Sequence, residues 1–259
     1  MKNKLFIFGD SNSIPFFGNS IEYKKYLEFK KGIKPKGWSE LLSSKLNLEE
    51  INYGEAGSSN ETIFQTICNH ITEIKPNDYV LVGWTFKMRY QVVSSYDDNF
   101  QSFSNVLPSF LPEETTLSNE SMNEFLLHYD LPFWVNKIYT WDKILIHLSN
   151  IGNFNLFLWS FDKEIGMLYK DNCRLDRYLG KTDLEEYYRS ESYQKLNTGI
   201  TEDLNFEDDG FWKHMELFGM KQIWDETDGL VDDGHMSELG HIILADLFYY
   251  QISNKIKSN

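Results

Sequence analysis

Short apolar runs alternate with longer amphipathic segments along most of the chain. Five runs lack the strict alternation of a half-exposed strand and therefore predict buried strands. These runs are Lys4–Phe8, Glu50–Tyr53, Asp78–Trp84, Phe154–Ser160 and Lys221–Trp224. Other segments repeat apolar residues at the spacing of a helix. They are Trp38–Leu46, Glu61–Ile74, Phe133–Ser149 and about Ser237–Ile256.

This order of elements predicts an α/β fold. Strands that alternate with helices favour a three-layer α/β/α sandwich, in which a parallel sheet of about five strands has helices on both faces. The 259 residues fit one domain spanning 1–259. Three stretches exceed ordinary connections, and we interpret them as insertions over the carboxyl edge of the sheet. They lie at about 14–36, 86–131 and 161–220.

Charge and composition restrict the partners that we expect. A net charge of −14 would repel nucleic acid and anionic membranes, so neither is expected to bind. The two cysteines, Cys68 and Cys173, are far apart and fit a reducing compartment. The apolar run at the N-terminus is too short for a signal peptide, and no run reaches membrane-spanning length. We therefore expect a cytoplasmic protein.

Sequence motifs for a metal or cofactor are lacking. The histidines show no shared metal-ligand spacing, and no G-x-G-x-x-G loop for a dinucleotide is present. A flavodoxin-like nucleotide or signalling domain is disfavoured, because the chain has neither a phosphate loop nor a paired acidic cluster after the first strand. We expect neither a metal nor a cofactor.

A serine follows the first predicted strand, within Gly9-Asp10-Ser11. Gly9 allows a tight turn there, which would present the Ser11 hydroxyl at the mouth of the sheet. A turn in which Asp10 or Ser11 caps the next helix explains the same residues, and taken alone it is the better explanation.

Asp232 and His235 stand three residues apart before the last predicted helix. A serine hydroxyl needs a base, and an imidazole in that role needs a carboxylate that fixes its tautomer. Asp233 is a rival for the carboxylate. An acidic surface loop followed by a capped helix is the alternative explanation.

Gly57 lies in a glycine-containing segment after the second predicted strand. Its backbone N–H could stabilise an oxyanion if it faces the same site. An ordinary glycine-rich turn is the alternative.

Together these three segments resemble the first, second and last conserved blocks of the SGNH (GDSL-type) serine hydrolases in order, approximate spacing and position at strand ends. The resemblance implies a flavodoxin-like parallel sheet. It also implies that Ser11 is the nucleophile and first oxyanion donor, Gly57 the second donor, His235 the base and Asp232 its orienting carboxylate.

The third block departs from the family pattern. The family has asparagine as a third oxyanion donor after strand three, whereas this chain has Thr85. Threonine can donate one hydrogen bond from a shorter side chain. Asn60 or Arg89 could supply the missing donor, and Asp10 could support the substrate or the oxyanion.

The expected function is hydrolysis of a carboxylic ester through an acyl-enzyme on Ser11. The acidic surface and the lack of a lipid-like apolar tract favour a small polar ester, such as an acetylated carbohydrate. The alternative is a catalytically weak or inactive relative that binds a carbohydrate or a protein in the same cleft.

Overall fold

The computed structural model describes residues 2–14, 32, 36–85, 89–97, 100–106, 131–160, 179 and 238–257. In these ranges the strands are β1 (Lys4–Phe8), β2 (Glu49–Asn52), β3 (Tyr79–Trp84), β4 (Tyr90–Asp97), β5 (Phe100–Val106) and β6 (Asn155–Ser160). The α-helices are α1 (Trp38–Leu46), α2 (Asn60–His70), α3 (Leu131–Gly152) and α4 (Glu238–Lys257). A 3₁₀ turn over Ile71–Glu73 follows α2 directly.

Four strands form a parallel sheet in the order β2-β1-β3-β6. The prediction of an α/β fold with a parallel sheet is thereby confirmed, as are four of the five predicted strands. The described part of the sheet has four strands rather than about five. The predicted strand Lys221–Trp224 lies outside the described residues. All four predicted helices are present, with small shifts at their ends.

Side chains of the central strands alternate between two apolar layers. Leu5 and Ile7 of β1 enter one core cluster together with side chains of α1 and α4, whereas Phe6 and Phe8 enter a second cluster with side chains of α2 and α3. Because a parallel sheet that is covered on both faces buries alternate side chains on opposite sides, its strands read as continuous apolar runs. The molecule therefore has the three-layer arrangement that the sequence predicts.

A glycine in β3 makes room for a tryptophan of the neighbouring strand. Gly83 pairs with Trp159 of β6, and a Cβ at Gly83 would lie 2.7 Å from the Trp159 indole. The indole makes edge-to-face contacts with Trp38 of α1 and Phe248 of α4, at centroid distances of 5.4 Å and 5.1 Å. This aromatic group joins the sheet to both helices of that layer.

An antiparallel hairpin lies within the predicted insertion at 86–131. Strands β4 and β5 pair with each other and not with the main sheet, and a register shift lies between Val93 and Ser95. From the sequence this stretch was identified only as an insertion, with no predicted strand in it. Nearly all of the other two insertions, at 14–36 and 161–220, lies outside the described residues. No helix in the described ranges is long and apolar enough to cross a membrane.

Candidate active site

The carboxyl ends of β1 and β3 form the topological switch point of the sheet. These strands are neighbours, yet the chain leaves β1 for β2 on one side and reaches β3 on the other. Ligands of open α/β sheets bind in the crevice outside such strand ends. Ser11 follows β1 and Thr85 follows β3, so both lie at this crevice.

Asp10 builds the turn that carries Ser11. The Ser13 N–H donates to the Asp10 carbonyl at 2.9 Å, and the Asn12 N–H donates to Asp10 Oδ1 at 3.0 Å. This is the local side-chain-to-backbone pattern by which aspartate favours turns. The turn leaves Ser11 partly exposed, while Asp10 itself is only 2% exposed. Hydrogen bonds between Asp10 and the two residues after Ser11 therefore hold the backbone of this turn in place.

Gly9 is required by the close packing of this turn. A Cβ at Gly9 would lie 2.7 Å from Ser13 Cβ and 3.2 Å from the Gly83 carbonyl oxygen. A real Cβ does not approach other atoms so closely. Alanine at this position would displace the Ser11 turn or the end of β3.

Gly57 lies in the exposed turn that follows β2. Its φ of +81° is a left-handed conformation that favours glycine. The Glu55 N–H donates to the Gly9 carbonyl at 3.0 Å, which joins this turn to the Ser11 turn. Among the described residues, none accepts a hydrogen bond from the N–H of Ser11 or of Gly57.

Asn60 holds the backbone at the end of β3. Its Oδ1 accepts from the Thr85 N–H at 2.8 Å, and its Nδ2 donates to the Thr85 carbonyl at 3.2 Å. Ser59 caps α2 by accepting from the Thr62 N–H, and so fixes the first turn from which Asn60 projects. Because Asn60 is only 1% exposed, its amide serves the protein interior.

The Thr85 hydroxyl donates to Asp10 Oδ2 at 2.6 Å, and Thr85 is 1% exposed. A hydroxyl has one hydrogen to donate. Thr85 can therefore act as an oxyanion donor only by leaving Asp10. Sequence reasoning placed Thr85 at the correct strand end but did not identify this acceptor.

Arg89 approaches the same carboxylate. Its Nη1 lies 3.1 Å from Asp10 Oδ2 and 3.4 Å from the Ser58 carbonyl oxygen, and its side chain is 13% exposed. The guanidinium supplies a positive charge to an almost fully buried carboxylate, and it also contacts the residue that follows Gly57. Thr85 and Arg89 thus contact Asp10 directly, and Asn60 contacts the Thr85 backbone.

Two residues that sequence reasoning did not assign to the site support the Ser11 turn. The Trp38 indole N–H donates to the Asn12 carbonyl at 2.6 Å, and the Trp38 backbone N–H donates to His241 Nδ1 at 3.0 Å. His241 is buried near the start of α4. Their contacts join residues far apart in sequence, so periodicity alone gives no signal for them.

His235 and Asp232 lie outside the described residues. In the sequence, His235 precedes Glu238, the first residue of α4, by three residues. No group of three or more potential metal-ligating side chains occurs in the part of the chain that the structure describes.

No protein-family model matches the chain, and no curated protein matches it. Similar solved structures include the YxiM protein of Bacillus subtilis, with 12% identity and a TM-score of 0.45, aligned over 98% of this chain. This chain spans 57% of the YxiM chain. The psychrotrophic esterase EstA of Pseudoalteromonas sp. aligns over 98% of this chain and 99% of its own, with 13% identity and a TM-score of 0.45.

A Desulfitobacterium hafniense protein assigned to the lipolytic G-D-S-L family aligns over 96% of this chain and 99% of its own, with 12% identity and a TM-score of 0.42. TM-scores and identities this low carry no argument about family or activity, so a functional proposal must rest on the residues of this chain.

Proposed function

We propose that this chain is a serine hydrolase of the SGNH type that cleaves a carboxylic ester. Ser11 attacks the ester carbonyl, the ester C–O bond breaks and the alcohol leaves with the proton taken from Ser11, and water then hydrolyses the acyl-enzyme to release the acid. His235 accepts the Ser11 proton, and Asp232 orients the His235 imidazole. The N–H groups of Ser11 and Gly57 donate to the oxyanion of the tetrahedral intermediate.

One observation carries this proposal: the turns that follow β1, β2 and β3 meet at the switch point of the sheet. Glu55 N–H bonds to Gly9 O, and the Thr85 hydroxyl bonds to Asp10. This arrangement supports a partly exposed serine at the crevice, for which we propose the N–H groups of Ser11 and Gly57 as oxyanion donors. Those are the parts that acyl transfer requires around a nucleophile.

The position of α4 supports the assignment of His235 as the base. His241 accepts a hydrogen bond from Trp38, and Trp38 donates to the carbonyl of Asn12, which is the residue after Ser11. A second contact between these helices, the ion pair of Lys45 with Asp246, shows that α4 runs alongside α1. The first turn of α4 therefore lies near the Ser11 turn, and it begins only three residues after His235 in the sequence, which is compatible with the proposed role of His235.

The hydrogen bonds of the site restrict which side chain could be a third oxyanion donor. Thr85 would have to exchange Asp10 for the oxyanion, and Asn60 already uses its amide on the Thr85 backbone.

We propose a small polar ester as the substrate, with an O-acetyl group on a carbohydrate as the favoured case. The net charge of −14 favours neutral or cationic substrates over anionic ones.

The direct test compares Ser11→Ala with Ser13→Ala on p-nitrophenyl acetate. Ser13 lies in the same turn, and its buried hydroxyl has no hydrogen-bond partner among the described residues. We expect Ser11→Ala to abolish hydrolysis and Ser13→Ala to keep it. Hydrolysis by Ser11→Ala at the parental rate would assign the chemistry to another site.

A second candidate function is binding without catalysis, in the same cleft, of a carbohydrate or protein. The observation that favours it is the commitment of the Thr85 hydroxyl to Asp10, which leaves the oxyanion with two proposed donors. Such a protein would bind its ligand but would hydrolyse no ester, in the parent and in Ser11→Ala alike.

A further inference from the structure

A buried carboxylate one residue from the proposed nucleophile creates an electrostatic difficulty. Asp10 is 2% exposed and precedes Ser11, beside which an oxyanion would form during ester hydrolysis. Two negative charges close together in a water-poor environment repel each other strongly. A catalytic site with this arrangement needs a cation that offsets the Asp10 charge.

Arg89 is placed to be that cation. Its Nη1 contacts Asp10 Oδ2 at 3.1 Å, and its side chain is 13% exposed. The other described donors to Asp10 are neutral, namely the Asn12 N–H and the Thr85 hydroxyl. Within the described residues, Arg89 is thus the one positively charged group in contact with this carboxylate.

Arg89 also contacts the second turn of the site. The same Nη1 lies 3.4 Å from the carbonyl oxygen of Ser58, which follows Gly57. One guanidinium therefore contacts both the residue before Ser11 and the residue after Gly57. These two turns carry the two backbone N–H groups that are proposed to bind the oxyanion.

We propose that Arg89 is a positioning residue that acts by neutralising the Asp10 charge beside the Ser11 turn, without touching the substrate itself. This inference rests on the proposed hydrolase function. A positioning role and a direct role on the oxyanion make different predictions. In the positioning role the effect of removing Arg89 depends on the Asp10 charge, whereas in the direct role it does not.

A double-mutant cycle separates the two roles. With Arg89→Met, the unpaired Asp10 charge should lower kcat about 10- to 100-fold with little change in KM, since the charge opposes the oxyanion and not the ground state. With Asp10→Asn added to Arg89→Met, the charge is gone, so kcat should return to within about fivefold of the parent. The rate of labelling of Ser11 by a fluorophosphonate should follow the same order.

Two further variants control for a loss of activity that does not come from the unpaired Asp10 charge. Lys45→Met breaks the ion pair between Lys45 of α1 and the largely buried Asp246 of α4, and it should leave kcat unchanged. Arg89→Lys keeps a positive charge and should retain more activity than Arg89→Met, which covers the case in which Arg89→Met does not fold.

The outcomes are distinct. If the parent hydrolyses esters but the double variant stays as slow as Arg89→Met, Arg89 acts directly on the oxyanion and the positioning role is overturned. An unchanged kcat in Arg89→Met overturns both roles of Arg89 and leaves the hydrolase proposal intact. A parent that shows neither turnover nor labelling overturns the hydrolase proposal, and the role of Arg89 in catalysis falls with it.

Discussion

Asp10 is the residue around which the candidate site is organised. It accepts hydrogen bonds from the Asn12 N–H, the Thr85 hydroxyl and the Arg89 guanidinium. The sequence shows Asp10 and Thr85 only as neighbours of strand ends. Their contact joins positions 75 residues apart in the chain, so it depends on the pairing of β1 with β3 and not on any local pattern.

Thr85→Val tests what the Thr85 hydroxyl does. The change keeps the side-chain shape but removes a donor to a buried carboxylate, so the free energy of unfolding should fall by about 1–3 kcal/mol. Thr85→Ser keeps a hydroxyl and should be closer to the parent. Urea unfolding measures both variants.

A change in kcat without a change in stability would contradict this structural role of the Thr85 hydroxyl. If Thr85→Val unfolds like the parent but loses about 10²-fold or more in kcat, its hydroxyl acts on the oxyanion during the reaction.

At the scale of elements, hydrophobic periodicity predicted the main sheet and its helices well. The apolar runs of β1, β3 and β6 are buried on both faces, which removes the ambiguity of a half-exposed strand. The hairpin of β4 and β5 was not predicted, and Asp98-Asn99 between its two strands lacks the glycine of a strong two-residue hairpin signal. The length of the stretch at 86–131 identified it only as an insertion.

Gly83→Ala tests the contact between β3 and β6. The added Cβ would lie 2.7 Å from the Trp159 indole, so the variant should lose about 1–3 kcal/mol of stability from overpacking. In a Trp159→Phe background the smaller ring leaves space for the methyl group, so the same change should cost less. Denaturant unfolding of the four proteins of this cycle measures the coupling, and an equal cost in both backgrounds would contradict the contact.

The packing of the end of α2 on β2 gives a pH-dependent contribution to stability. Tyr53 donates to Glu73 at 2.7 Å, and His70 Nδ1 lies 2.7 Å from the same carboxylate. The hydrogen bond with His70, and then that with Tyr53, lowers the pKa of Glu73. A carboxyl whose pKa is lower in the folded state stabilises the fold above its unfolded pKa of about 4.3 and loses this contribution as the pH falls through its folded pKa.

Glu73→Gln should therefore lower the urea midpoint at pH 7, and the gap from the parent should close on acidification below about pH 4. The exposed Glu49 provides a control, Glu49→Gln, which should follow the parent at both pH values. A gap between Glu73→Gln and the parent that stays constant down to about pH 3 would show that the Glu73 charge has no part in this packing.

At the scale of the whole molecule, the fold explains why distant segments can form one site. The switch point brings the ends of β1 and β3 together, and the parallel packing of α1 and α4 brings the start of the last helix to the same edge. The sequence predicted Ser11, Gly57 and Thr85 at strand ends because apolar runs mark those ends. The network of Asp10, Arg89 and Asn60 required the folded chain.

The most direct test of the central claim is covalent labelling by a fluorophosphonate, followed by peptide mapping with mass spectrometry. Fluorophosphonates react with a serine that has an adjacent base and an oxyanion site. We predict one adduct on the parent, located on Ser11, and no adduct on Ser11→Ala. A parent that hydrolyses esters but carries its adduct on another serine, or a parent that neither reacts nor hydrolyses, would contradict the assignment of Ser11 as the nucleophile.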